Sequence, residues 1–278
     1  MKKRKIKNTL FKALCYLASA FGLLVLAVIM VSLISKGGKA LSWSTLTQAL
    51  PSPGESGGGL ANAIIGSLLI SSIGIGLAIP VGVMAGTWLA EYGRQSKLAD
   101  AIRFMNAMLM SAPSILIGLF VYLLLVKPFG HFSGWAGSAA LAIIALPMII
   151  STTEEMLKLV PSSLREAGAG LGTPQWKVTV TLSYRAVAPG LITGILLSFA
   201  RISGETAPLL FTALSNSFVS WDMNAPMANL PVTIYNLAMS PYEHWNDLAW
   251  SGALIITVTV LAINMSSRLL PVLLKQRR

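Results

Sequence analysis

The sequence has 278 residues, of which 54% are hydrophobic and only 11% charged, with a formal net charge of +11. Soluble domains carry about 25% charged residues, so this composition excludes a separate soluble domain and points to an integral membrane protein. A basic balance also suits nucleic acid, but here the basic residues sit at the ends and between apolar runs, which argues against that partner.

The first apolar run covers 10–34 and follows Met1-Lys-Lys-Arg-Lys-Ile-Lys7. At 1.5 Å per residue, about 20 apolar residues cross the hydrocarbon core. The run is too long for a signal peptide and no small-x-small cleavage site follows, so a retained transmembrane helix is expected. Its Cys15 is the only cysteine, which permits neither a disulfide framework nor a cysteine-based metal site. Residues 35–61 are rich in Gly, Ser and Pro and read as a linker.

A second span is expected over 62–90. Gly82 and Gly86, four apart, permit close helix approach, and Pro80 predicts a kink. A polar turn with Glu91, Arg94, Lys97, Asp100 and Arg103 leads to a third span over 104–126, interrupted by Pro113. After Lys127, Pro128 and a solvated His131, a fourth span covers 136–150, extending to about 156. The fifth covers 188–213 and the sixth 248–270. Between these two, 229–239 predicts a short helix with Pro231 in its first turn.

Topology follows from charge. All Lys and Arg except Lys36, Lys39, Lys127 and Arg201 lie in the N-terminus, the segments near 94–103 and 158–185, or the C-terminal region. The positive-inside rule then puts both termini in the cytoplasm, as a multi-pass protein of the cell (inner) membrane. The expected organisation is an N-terminal helix and outer loop (1–61), a transmembrane core (62–270) and a cytoplasmic tail (271–278).

Residues 154–187 read as a cytoplasmic loop. Thr152-Thr-Glu-Glu155 and Ser163-Leu-Arg-Glu166 both fit a capping box, so a helix is expected to begin at each. Gly170 and Gly172 can end the second, and Thr173-Pro174 can start a third.

In the fifth span, Gly190, Gly194, Ser198, Arg201, Glu205, Pro208 and Thr212 recur at steps of four and three. On one continuous helix they would form a single small and polar face. A charge at membrane depth costs at least ~2.5 kcal/mol and is functional by default. Arg201 and Glu205 are therefore the candidate substrate-pathway residues. Guanidinium is always charged and its fork matches phosphate or carboxylate oxygens. The bland reading is a structural ion pair, although Arg before Glu at i, i+4 is the less favourable order.

The loop resembles the signature of the permease subunits of ABC transporters: Glu166-Ala167-Gly168 stands for the opening Glu-Ala-Ala, Gly172 for the glycine, and Leu182 for the later hydrophobic position. Gly168 replaces the second alanine, and Tyr184-Arg185 stands where Leu-Pro is usual. Residues 200–213, with Asn229-Leu-Pro-Val-Thr-Ile-Tyr235, resemble more closely the phosphate-specific, PstA-type branch. That resemblance implies an all-α, six-helix fold of the MetI-like architecture and an inorganic phosphate importer. Glu166, Ala167, Gly168 and Gly172 would dock the motor subunit.

The partners it implies are a second homologous permease forming a heterodimer, an ATP-binding subunit dimer, an extracytoplasmic phosphate-binding protein, and membrane lipid. No cofactor is implied, and selectivity would lie mainly with the binding protein. Alternatives are a permease for sulfate or molybdate, a passive anion channel, or an intramembrane enzyme using Glu205. The sequence lacks the zinc-protease and serine-hydrolase motifs the last would use, and no phosphate-binding loop makes this chain itself an ATPase.

Overall fold

The computed structural model describes residues 2–55, 57–93 and 96–276. Arg94, Arg277 and Arg278, used in the topology argument, lie outside the described residues. The described chain is helical, with no strand among those residues. In order, the helices are α1 (Lys2–Ala40), α2 (Trp43–Thr47), α3 (Ala61–Thr87), α4 (Lys97–Ser111), α5 (Ser114–Val121), α6 (Lys127–Phe129) and α7 (Gly134–Lys158). There follow α8 (Ser162–Gly170), α9 (Gln175–Val178), α10 (Tyr184–Ile202), α11 (Ala207–Thr212), α12 (Leu230–Ala238) and α13 (Glu243–Gln276). Short π-helical turns extend α3 to Tyr92, extend α5 through Tyr122–Val126, and join α9 to α10.

Five continuous helices among the described residues are long and apolar enough to cross a membrane, and the pair Lys97–Ser111 and Ser114–Phe129, bent by 103°, makes a sixth span when taken together. The bend falls at Ala112-Pro113. Proline disfavours the helical conformation in the residue before it, and Ala112 is extended at ψ 136°.

The core sits between α3 and α7. Gly74 lies against Ser138 and Leu141, Gly82 against Ile149, and Gly86 against Ile150 and Thr153, so the two helices run in the same direction. A methyl on Gly86 would come within 2.6 Å of the Ile150 carbonyl oxygen and Thr153 Cβ, so glycine is what lets the backbones approach there. Close packing is therefore the role of both glycines. α10 crosses α7 in the opposite sense, with Gly190 at Met156 and Gly194 at Thr152. Ile70, Leu141, Ile144, Ile149, Ile202 and Leu209 fill the common core.

Three expectations are revised. The irregular part of 154–187 is confined to 159–161 and 171–174, because α7 runs to Lys158 and the fifth span begins at Gln175. Neither capping box starts a helix: Thr152 and Glu155 lie within α7, and Pro161 occupies the N-cap of α8 with no side-chain cap. α13 continues to Gln276, so residues 271–276 extend the last helix. The short helix expected over 229–239 is α12, capped by Asn229 Oδ1 accepting from Val232 N–H at 3.0 Å.

Candidate translocation site and docking helix

The fifth span is not one helix as far as residue 213. α10 ends at Ile202, residues 203–206 are irregular, and α11 resumes at Ala207. Pro208 disfavours a continuous helix here, since it could not donate to the Gly204 carbonyl and its ring would clash there, although Pro80, Pro147 and Pro189 are accommodated inside α3, α7 and α10. At the start of α11 the missing N–H costs nothing. The expected polar face is thus divided. Gly190 and Gly194 turn towards α7 and Ser198 is buried with its hydroxyl on the Gly194 carbonyl, while Pro208 and Thr212 belong to α11 and are buried.

Arg201 lies in the last turn of α10 and Glu205 within the break, and both line one cavity of about 110 Å³. Its other walls include Leu109, Met110 and Ser114 from the α4–α5 bend and Pro147 and Met148 from α7. That volume is well above the ~10–15 Å³ needed to hold a water molecule. Pro147 lies 13 residues beyond Gly134, so the cavity is ~20 Å along a helix of 25 residues, near mid-depth. Non-helical backbone is tolerated at such depth only where protein buries it or it lines a wet cavity. Arg201 and Glu205 make no ion pair with each other, nor with any other of the described residues. Arg201 is exposed in the isolated subunit and Glu205 half-buried.

Below this cavity, on the way to the end of the bundle that carries α8, α4 and α7 share a polar seam. Asn106 Nδ2 donates to the Pro147 carbonyl at 3.2 Å and to Ser151 Oγ at 2.8 Å. One turn further, Glu154 accepts from Arg103 Nε at 2.8 Å and pairs with Lys158 Nζ at 2.7 Å, while Arg103 also holds Asp100 at 2.9 Å. In the sequence, Arg103 and Asp100 stand only as residues of a polar turn. The signal available was their three-residue spacing against Glu154 and Lys158 on α7.

The docking candidates lie together on α8 and the turn after it. Glu166 and Ala167 are exposed, and Leu171 is 86% exposed. Gly168 faces inward, where a methyl group would come within 2.9 Å of Leu182 Cδ1 and 3.0 Å of Val178 Cγ2. Gly172 has φ +75°, the left-handed conformation glycine adopts without steric cost, and turns the chain towards the fifth span. The four residues thus divide between an outward surface and the packing that supports it.

The family described as binding-protein-dependent transport system inner membrane component matches residues 78–278. The chain belongs to this family. As a member of the binding-protein-dependent permeases it is a multi-pass transport subunit, and not an enzyme. A relative from Pasteurella multocida, named phosphate transport system permease protein PstA, is 54% identical over 96% of this chain and 95% of its own length. The protein of the same name from Haemophilus influenzae is 55% identical over 96% and 94%. Among solved structures, the inward-facing MetNI methionine ABC transporter aligns with TM-score 0.65 at 16% identity, over 76% of this chain and 94% of that one. At that identity the likeness concerns the permease fold alone.

Proposed function

We propose that this permease is the membrane subunit of an ATP-driven phosphate importer and that phosphate passes the Arg201–Glu205 cavity. The substrate reading is supported by kinship at 54% and 55% identity, over nearly the whole chain, to two proteins named as phosphate permeases. The pathway reading is carried by one observation: two opposite charges face a shared cavity near mid-depth without pairing. An unpaired guanidinium there offers forked, charge-assisted hydrogen bonds to a tetrahedral oxyanion. Glu205 in the same cavity repels that anion and offsets the field of Arg201, so binding stays weak enough for release.

The exposed Arg201 cannot face lipid at that depth. A second, homologous permease covers it, together with Phe104, Met105 and Met108, which are 65%, 64% and 56% exposed on α4. The basic end of the bundle, with α8, faces the cytoplasm by the positive-inside rule, and both termini lie there. The surface made by Glu166, Ala167 and Leu171 receives an ATP-hydrolysing subunit, and Gly168 and Gly172 hold that surface in place. An external binding protein delivers the anion at the opposite end.

The test is uptake by the complex of permeases, ATPase and binding protein in liposomes, supplied in turn with labelled phosphate, sulfate and molybdate. ATP-dependent uptake of phosphate alone is expected. Uptake of sulfate or molybdate in preference would keep the permease and replace the substrate.

A further inference from the structure

We propose that the ion pair between Glu91 and Arg165 is the joint through which movement of α8 reaches the transmembrane core, with both acting as positioning residues. The proposal rests on the docking role given to α8 above. The side chains are 4% and 17% exposed. Arg165 Nε donates to both carboxylate oxygens of Glu91, at 3.1 and 3.0 Å, and Nη2 donates to Oε1 at 2.8 Å. The same guanidinium donates to the carbonyls of Val160 and Leu157, each at 2.6 Å, at the C-terminal end of α7. The Glu91 carbonyl accepts from Gln175 Nε2 at 3.2 Å, where the fifth span begins.

The pair of side chains therefore ties α8 to the ends of two transmembrane segments, α3 through its terminal π-helical turn and α7, and the backbone carbonyl of Glu91 links that same turn to the helix that carries Arg201. The remaining attachment of α8 is apolar, through Leu164 beside Leu157 and Val160 and through Gly168 on Val178 and Leu182. Apolar contacts let one helix slide over another, because they have no preferred direction. A forked, multiply bonded guanidinium fixes both distance and angle. With the pair intact, a push on α8 displaces three helix ends; without it, α8 moves on its apolar seat.

The experiment uses the assembled complex in liposomes and measures phosphate taken up per ATP hydrolysed. The variants are Glu91→Gln, Arg165→Gln and the charge-reversed double Glu91→Arg/Arg165→Glu. In a parallel sample, Leu171→Cys is cross-linked to the ATPase to check docking. The expected result is continued ATP hydrolysis by both single variants, with uptake per ATP reduced about fivefold, within the range for residues that carry coupling, and partial recovery in the double variant.

A parallel fall in uptake and hydrolysis that leaves their ratio unchanged would overturn the proposal, as would an unchanged ratio with normal rates. Failure of all three variants to assemble would assign the pair to folding alone and overturn it as well. Absence of the Leu171 cross-link would instead remove the docking reading on which the joint depends. A cross-link with an unchanged ratio would remove only the joint.

Discussion

Arg201 and Glu205 line one cavity but lie on opposite sides of a helix end, because α10 stops at Ile202 and Pro208 opens the next helix. On a continuous helix they would be stacked one turn apart and free to neutralise each other. The break keeps two charges available in a place where isolated charges are costly.

Restoring the helix is therefore expected to impair transport. Gly204→Ala/Pro208→Ala removes two residues that disfavour a continuous helix, by about 1 kcal/mol and about 3 kcal/mol in a helix interior. Reduced phosphate uptake by a complex that still assembles is the predicted combination. Unchanged uptake would show that the break is not needed.

Glu154 holds Arg103 and Lys158 together with a side chain only 9% exposed. Glu154→Gln leaves Lys158 without its carboxylate and Arg103 with only the carboxylate of the exposed Asp100 at the α4–α7 seam. Removing one partner of a buried pair costs about 3–5 kcal/mol, but these cations are 30% and 48% exposed, so solvent screening reduces the loss to about 1–2 kcal/mol. Thermal unfolding of the purified subunit measures it.

The α3–α7 contact predicts opposite results for two glycines on one helix. Gly86→Leu must displace the backbone of α7 and is expected to cost about 1–3 kcal/mol or more. Gly76 has open space for 4 Å around the point a methyl group would occupy, and Gly76→Ala is expected to stabilise the helix by about 0.5–1 kcal/mol. Unfolding in detergent compares the pair directly.

At the other end of the molecule, Asn229→Ala removes the N-cap of α12 at a fully buried position. A loss of about 1 kcal/mol is expected. Its first local sign is faster hydrogen exchange at Val232, whose amide loses its acceptor.

The spans are legible in the sequence because hydrophobic length is set by the membrane, and that constraint leaves few alternatives. Gly82 and Gly86 are readable as packing residues for the same reason: the small-residue spacing has one common use. The end of α10 is not visible to periodicity, although Gly204 and Pro208 carry the signal. Periodicity treats a glycine or proline at the right step as one more face residue, whereas the backbone treats proline as a missing donor and a clash. Glu91 and Arg165 are harder still. They are 74 positions apart, and each looks like an ordinary charge beside a polar turn until the π-helical end of α3 and the turn into α8 bring them together.

ATP-dependent phosphate uptake by the reconstituted complex, with Arg201→Gln and Glu205→Gln each compared with wild type, decides whether the anion passes the Arg201–Glu205 cavity. Assembly is verified in every sample. Passage through the cavity predicts intact complexes in which Arg201→Gln loses at least about tenfold in uptake, since removing a charged hydrogen-bond partner costs about 1.5–3 kcal/mol. Glu205→Gln is predicted to bind phosphate more tightly and release it more slowly. Wild-type uptake in both variants would contradict it, leaving the two charges a structural feature of a permease whose pathway lies elsewhere.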